Sequence, residues 1–253
     1  MEVWTNVKIN LGLNVLRKRP DGYHDLETVF VPYFGMGDLL CIEPSEETSI
    51  EIGGPTYTGW DPQKDLTLKA YSLLKEEFGI PAVKISLQKN SPVGAGLGGG
   101  SSDAVEALKM LDTMFGLNLG PDRLKGFAAQ LGSDCPFFVD NAPRFASGRG
   151  EILEETDVDL SSYEIRVTVP EGISVSTREA YAGIRPHMPG MPLKEVLKRP
   201  VAEWKELLHN DFEDTVFPLH PQLADLKEQL YSDGAVYAAM SGSGSALFGL
   251  FRK

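Results

Sequence analysis

The stretch PVGAGLGGGSSDA, residues 92–104, sets five glycines between Gly94 and Gly100 and follows them with two serines and an aspartate. A glycine held inside regular structure costs roughly 0.5–1 kcal/mol relative to alanine, so a cluster this dense points to backbone that has to stay bare. Before it, AVKISLQ reads as a strand; after it, SDAVEALKMLDTMFG carries Val105, Leu108, Leu111 and Phe115 on one helical face. A strand, a glycine loop and a helix in that order can turn several backbone N–H groups toward one point, to which the helix N-terminus adds about half a positive charge. That combination suits a phosphate. The alternative is a tight-packing glycine loop with no ligand, and Ser102 or Asp103, the latter three residues before Glu106, also reads as a helix cap and capping box.

Two familiar phosphate fingerprints do not fit. GxxxxGK[ST] needs a lysine where this chain has Ser101 and Ser102, and the dinucleotide fingerprint needs an acidic residue about 20 positions on. Phosphate is therefore expected to meet N–H and hydroxyl donors. The formal net charge of −12 argues against a general nucleic-acid or anionic-membrane surface, so any phosphate binding is local. Cys41 and Cys135 are too few and too far apart for a disulfide framework or a zinc site. The N-terminus has no basic segment leading into an apolar run, and no stretch approaches the roughly 18 apolar residues of a membrane span. A soluble, cytoplasmic protein without nucleic-acid or membrane partners is expected.

Along the chain, VKINLGLNVL predicts a strand running into the turn RKRPDGYH, and LLCIEP and SIEIGG predict two more strands. KDLTLKAYSLLKEEFG predicts a helix with Leu66, Ala70, Leu73, Leu74 and Phe78 inward, stopped by Gly79. PDRLKGFAAQLG predicts a helix that delivers the chain into SDCPFF, with Asp134 just past its end. Residues 141–162 read as the approach to a second lobe. Beyond them come a strand EIRVTVP, helices around WKELLHNDFED and PQLADLKEQLYS, and two apolar strands joined by a Gly/Ser turn in AVYAAMSGSGSALFGLF.

Four blocks in this order resemble the GHMP kinases, the superfamily of galactokinase, homoserine kinase, mevalonate kinase and phosphomevalonate kinase. PVGAGLGGGSSDA resembles their glycine motif, AQLGSDCPFF their catalytic-aspartate segment and AAMSGSGSALFGLF their C-terminal glycine motif. NVKINLGLNVLRKRPDGYHDLETVF resembles the opening block of the branch that phosphorylates 4-diphosphocytidyl-2-C-methyl-D-erythritol, and DGYH separates that branch from its relatives. The chain departs from the usual pattern in opening the first block Asn6-Val7-Lys8 rather than Pro-Ala-Lys, and in carrying Ser133 and Cys135 where alanine and valine are commoner.

The resemblance implies a two-lobed α+β fold with an active-site cleft between an N-terminal ATP-binding domain, residues 1–150, and a C-terminal domain, residues 151–253. It implies ATP and Mg²⁺ as cofactors, without identifying the metal ligands, and 4-diphosphocytidyl-2-C-methyl-D-erythritol as the small-molecule substrate. Lys8 and Asp134 are the catalytic residues it implies. Pro92, Val93, Gly94, Ala95, Gly96, Leu97, Gly98, Gly99, Gly100, Ser101 and Ser102 form the nucleotide loop. Asn10, two residues after Lys8 and so on the same side of the strand, either meets the substrate or is a satisfied core asparagine. Tyr23, His24, Thr177 and Tyr181 resemble the residues that hold the cytosine, with a core aromatic as the other reading of Tyr181. Gly242, Ser243 and Gly244 shape the substrate end, or form a plain hairpin turn; the pair Asn210-Asp211 has no assigned role. A GHMP kinase for another alcohol, and a nucleotide-binding protein without turnover, are the competing readings.

Overall fold

A computed structural model describes residues 1–253. In chain order the strands are β1 (Glu2–Trp4), β2 (Val7–Lys18), β3 (His24–Tyr33), β4 (Leu39–Pro44), β5 (Ser49–Gly53), β6 (Val83–Gln88), β7 (Arg144–Ser147), β8 (Ile152–Glu155), β9 (Tyr163–Thr168), β10 (Tyr237–Met240) and β11 (Leu247–Arg252). The helices are α1 (Leu66–Phe78), α2 (Gly99–Phe115), α3 (Pro121–Leu131), α4 (Cys135–Asp140), α5 (Thr177–Ala182), α6 (Leu193–Val196), α7 (Trp204–Leu207), α8 (Phe212–Leu219) and α9 (Pro221–Ser232). The fold is mixed α+β. One compact unit comprises Met1–Lys8, Pro32–Val93 and Gly98–Ala142; the other comprises Ile9–Val31, Gly94–Leu97 and Pro143–Lys253.

The first unit holds a sheet in the order β1-β4-β6-β5. β4 pairs antiparallel with β1 and β6, whereas β5 and β6 run parallel. Parallel neighbours need a crossover, and α1 supplies it. The Asp65 carboxylate caps α1 by accepting from Thr67 N at 2.9 Å, and Gly79 ends it at φ 64°. The buried stripe is Thr67, Ala70, Tyr71 and Leu74, while Leu66, Leu73 and Phe78 are only half-buried. Thr67 can turn inward because its hydroxyl also donates to Asp65, at 2.7 Å.

α2 starts inside the glycine run rather than after it. Its N-cap is Gly98, with no side-chain cap bond, and Ser102 and Asp103 lie buried within the helix. The capping-box expectation is thereby corrected: Asp103 is a core carboxylate, and Gly98 opens the helix from the left-handed region at φ 71°.

The second unit holds the sheets β2-β3-β7-β8 and β10-β11-β9. Within residues 141–162, expected as an approach to a second lobe, lie β7 and β8, which extend the first of these sheets beyond β3. Its core gathers Leu13 and Val15 of β2, Phe212 and Val216 of α8, Leu223 and Leu230 of α9, and Ala238, Met240, Leu247 and Phe251 of β10 and β11. The helix expected around WKELLHNDFED is broken into α7 and α8. The intervening residues pair with β2 instead: Leu13 N donates to His209 O and Asp211 N to Leu13 O, both at 2.9 Å.

Candidate active site

In the first unit Lys8 Nζ lies 3.5 Å from Asp134 Oδ2. The two side chains are not equivalent, for Lys8 is 4% exposed and Asp134 34%. Lys8 enters from the start of β2, whose residues Val7 to Val15 are all buried. Burial pushes its ammonium below the ordinary lysine value, against the pull of Asp134. Asp134 sits in the short connection from α3 to α4 and caps neither helix with its side chain. The result is a partly exposed carboxylate steered by a buried cation, which is the arrangement an acceptor of an alcohol's hydrogen bond requires. Cys135, the next residue, is buried and its thiol is pushed up to about 11 by burial, so it is chemically quiet.

The helical end of the glycine run packs against the lysine of this pair. A Cβ on Gly98 would stand 3.2 Å from both Cε and Cγ of Lys8 and 3.3 Å from Phe138 Cε2. The loop thus presses on the stem of the lysine that holds Asp134. Gly100 behaves differently: it is exposed, and a Cβ there would point into open space. Ser102 Oγ is buried without a hydrogen-bond partner. An orphaned hydroxyl of this kind costs free energy unless something supplies the missing bond. Ser101 is half-buried, while Pro92 and Val93 carry the chain into the loop, Val93 exposed.

The other predicted residues belong to the second unit. Of Gly94, Ala95, Gly96 and Leu97, Ala95 and Gly96 meet the Gly/Ser turn between β10 and β11: Ala246 N donates to Ala95 O at 3.1 Å and Ser241 Oγ to Gly96 O at 3.1 Å, while Gly94 is exposed and Leu97 buried. A Cβ on Gly96 would fall 2.1 Å from Ser241 O, so nothing larger than glycine fits at φ 78°. Asn10 is buried, and its Nδ2 donates to Thr28 Oγ1 at 3.1 Å. Its Oδ1 faces the turn, 3.2 Å from where a Cβ on Gly242 would be.

Asn210, noticed in the sequence without a role, proves to hold that turn. Its Nδ2 donates to Met240 O at 2.7 Å and to Gly242 O at 2.9 Å, and its Oδ1 accepts from Phe212 N at 3.0 Å. Ser243 is half-buried, and Gly244 lies against Met240. Thr28 and Glu213, whose Oε1 accepts from Met240 N at 2.8 Å, were not singled out from the sequence. Nothing in their local pattern marks them; only tertiary placement does.

His24 and Tyr181 stack with ring centroids 4.8 Å apart and planes 21° off parallel. Tyr181 also meets Phe212 edge-on at 4.8 Å, so it joins the core and the His24 cluster at once. Tyr23 does not lie on Tyr181. It is 58% exposed, and the Arg149 guanidinium lies over its ring, 5.0 Å from the centroid. Thr177 opens α5 four residues before Tyr181 and is exposed. Burial, and then the charge of Lys18, lower the His24 imidazole below its ordinary value. No group of three or more His, Cys, Asp or Glu side chains is placed to hold a metal ion, and no helix is long and apolar enough to cross a membrane.

Two family models place the chain among the GHMP kinases: residues 65–142 match the GHMP kinases N terminal domain and residues 193–253 the GHMP kinases C terminal. A solved mevalonate kinase has the same fold, with a TM-score of 0.68 at 12% identity, over 100% of this chain and 91% of that one. Closer in sequence is the 4-diphosphocytidyl-2-C-methyl-D-erythritol kinase of Bacteroides thetaiotaomicron, 51% identical over 99% of this chain and 92% of that protein. The crystal structure of a 4-(cytidine 5'-diphospho)-2C-methyl-D-erythritol kinase matches with a TM-score of 0.83 and 34% identity, covering 99% of this chain and 90% of that one. The chain belongs to the 4-diphosphocytidyl-2-C-methyl-D-erythritol kinase family.

Proposed function

We propose that the chain transfers the terminal phosphoryl group of ATP to the C2 hydroxyl of 4-diphosphocytidyl-2-C-methyl-D-erythritol, giving the 2-phosphate and ADP. It does so in the cytoplasm, in non-mevalonate isoprenoid precursor biosynthesis. The observation that carries this reading is the Lys8–Asp134 pair, 3.5 Å apart, beside the bare N-terminus of α2. Phosphoryl transfer asks a protein for positioning and charge stabilisation more than for covalent chemistry. Asp134 accepts the hydrogen bond of the C2 hydroxyl and orients it. Lys8 holds Asp134 and offsets negative charge on the transferring group.

The loop residues fit a polyphosphate. Ser102 Oγ lacks a partner that a phosphate oxygen would supply, and Gly100 leaves open the space over the first N–H groups of α2. Magnesium accompanies ATP in this reading. Such a metal is usually held by phosphate oxygens and water with one or two carboxylates, and no residue of this chain is assigned to hold it. Replacing Gly100 with alanine tests the loop directly. Nucleotide affinity is expected to fall roughly tenfold or more, the cost of moving a charged oxygen off its donor, while the melting temperature holds or rises, since alanine is the better helix former. Unchanged affinity for a non-hydrolysable ATP analogue, measured by calorimetry, would move the phosphates elsewhere.

Recognition of the cytosine falls to Tyr23, His24, Thr177 and Tyr181, with Asn10 and the turn Gly242, Ser243, Gly244 shaping the substrate end. A neutral imidazole has one donor and one acceptor with which to read a base edge. A coupled kinase assay over a small panel of alcohols tests the assignment. Turnover is expected with the cytidylated substrate and essentially none with methylerythritol 4-phosphate, mevalonate, homoserine or galactose, because binding energy from the remote base positions the reacting hydroxyl. Tyr23→Ala should cost about 1–3 kcal/mol, as loss of a stacking aromatic does. His24→Ala should narrow the gap between cytidine and uridine substrates. Comparable turnover of mevalonate or homoserine would overturn the substrate assignment.

A further inference from the structure

Beneath the helical half of the glycine run three charged side chains meet in the core of the first unit. Lys89 follows β6, Asp38 precedes β4 and Asp103 lies in α2; they are 3%, 0% and 1% exposed. Lys89 Nζ donates to Asp38 Oδ2 and, at 2.7 Å, to Asp103 Oδ2. Asp38 Oδ1 accepts from Asn90 N at 2.6 Å and Ser91 N at 2.7 Å, and its Oδ2 from Ser91 Oγ at 2.6 Å. Asp103 Oδ1 accepts from Thr5 Oγ1 at 2.9 Å.

Two features of this cluster go beyond holding the fold. The first is where it attaches. It grips Asn90 and Ser91, where the chain leaves β6 for the loop, and Asp103 just after the loop has become helix. A Cβ on Gly99 would lie 2.5 Å from Ser91 Oγ and 3.5 Å from Asp38 Oδ2, so the first turn of α2 rests directly on the cluster. The second is its charge. Two carboxylates face one ammonium, which leaves one negative charge enclosed behind the very helix end that would receive a polyphosphate. An enclosed, uncompensated charge is costly, and a second anion docking nearby makes it costlier; a proton removes both penalties.

We infer that Asp38, Lys89 and Asp103 position the phosphate-binding turn of α2, and that Asp103 takes up a proton from solvent as nucleotide phosphates dock. This rests on the reading of the loop as the nucleotide site. Burial pushes the Asp103 carboxyl up to about 7, with Lys89 pulling it down and Asp38 adding to the rise. Asp38, which burial would raise, is held below the usual carboxylate range by Lys89 and Ser91, and Lys89, which burial would lower, is held above its ordinary value by Asp103 and Asp38. The mobile proton therefore belongs to Asp103. Of the other charged groups on the elements around it, Lys8 pairs with Asp134, Lys109 with Glu106 on α2 itself, Arg123 of α3 with Glu77 of α1, and Lys125 of α3 with Asp140 of α4, while Asp112 of α2 accepts from Leu119 N. All four histidines lie in the other unit.

The test is calorimetric titration of a non-hydrolysable ATP analogue with magnesium, at pH 8, in two buffers of different ionisation enthalpy. The wild-type protein and Asp103→Asn are compared, so that protonation of the nucleotide itself cancels. Wild type is expected to take up roughly 0.3–0.5 proton more than the variant near pH 8, and its affinity to fall more steeply with pH there, by about two- to threefold per unit. Equal uptake by both proteins overturns the inference alone. No binding to wild type overturns the nucleotide reading and the inference with it. Should Asp103→Asn fail to fold, infrared difference spectra of wild type decide: nucleotide addition should convert a carboxylate band into a protonated carboxyl band, and its absence overturns the inference. Protonation also affects stability. Between the ordinary carboxylate range and about pH 7 the native state holds more protons than the unfolded chain, so this group weakens the fold as pH rises through that window.

Discussion

Asp134→Asn is expected to lower kcat by about 10²–10⁴, the usual contribution of a positioned acid–base group, with little change in nucleotide affinity. The amide is isosteric but accepts with one oxygen only, and it carries no charge for Lys8 to hold. The side chain has no cap bond at the helix end to lose, but the exchange leaves the buried Lys8 ammonium without its counter-charge, so some loss of stability, on the order of 1–3 kcal/mol, should accompany the loss of rate. Lys8→Ala should lower kcat comparably by releasing Asp134 from its partner. The two substitutions should not add, because the residues act as a unit. Steady-state kinetics on both single variants and the double variant settle the point. Near-normal kcat with a raised KM in either single variant would reduce the pair to a binding role.

Gly98→Val should act on the same pair from behind. Valine disfavours the left-handed backbone that Gly98 adopts at φ 71°, and its Cβ would enter within 3.2 Å of Lys8 Cε and Cγ with two methyl groups beyond it. The lysine has to give way. A misplacement of about 1 Å in catalytic geometry costs on the order of 10² in rate, and backbone strain of this kind costs about 1–3 kcal/mol of stability. The expected variant is folded by circular dichroism, melts early, binds nucleotide poorly or not at all, and turns over at most about one-hundredth as fast. A folded Gly98→Val with wild-type affinity and kcat would leave the loop a purely structural turn.

What local sequence could reveal divides along physical lines. Gly79, Gly132 and the alternation in Val83, Ile85 and Leu87 act through near neighbours, so the ends of α1 and α3 and the strand β6 are legible from them. Lys8 and Asp134 are candidates because four blocks resemble a family, not because either residue announces itself; what the structure adds is that the two lie 3.5 Å apart. The capping pattern at Ser102 and Asp103 misled, since the same residues that cap a helix can be carried into the core when a lysine such as Lys89 waits there. Whether they cap depends on burial, which no local window contains. The break between α7 and α8 was hidden for a similar reason: the residues have helical spacing, but β2 offers His209 and Asp211 better hydrogen bonds than a continuous helix does.

The side chains of Asn210, Asp211 and Glu213 do for the second unit what a further strand would otherwise do. Asn210 binds two carbonyls of the β10–β11 turn region, Asp211 Oδ2 accepts from Val15 N at 2.7 Å, and Glu213 Oε1 accepts from Met240 N. An engineer redirecting this scaffold to another base or alcohol inherits a sharp boundary. Tyr23, exposed on its hairpin, is ground for randomisation. The four-residue NDFE block is scaffolding in disguise: it looks like an interchangeable polar surface segment in the sequence, yet each of its three polar members answers a main-chain group, so libraries should carry it unchanged as though it were backbone.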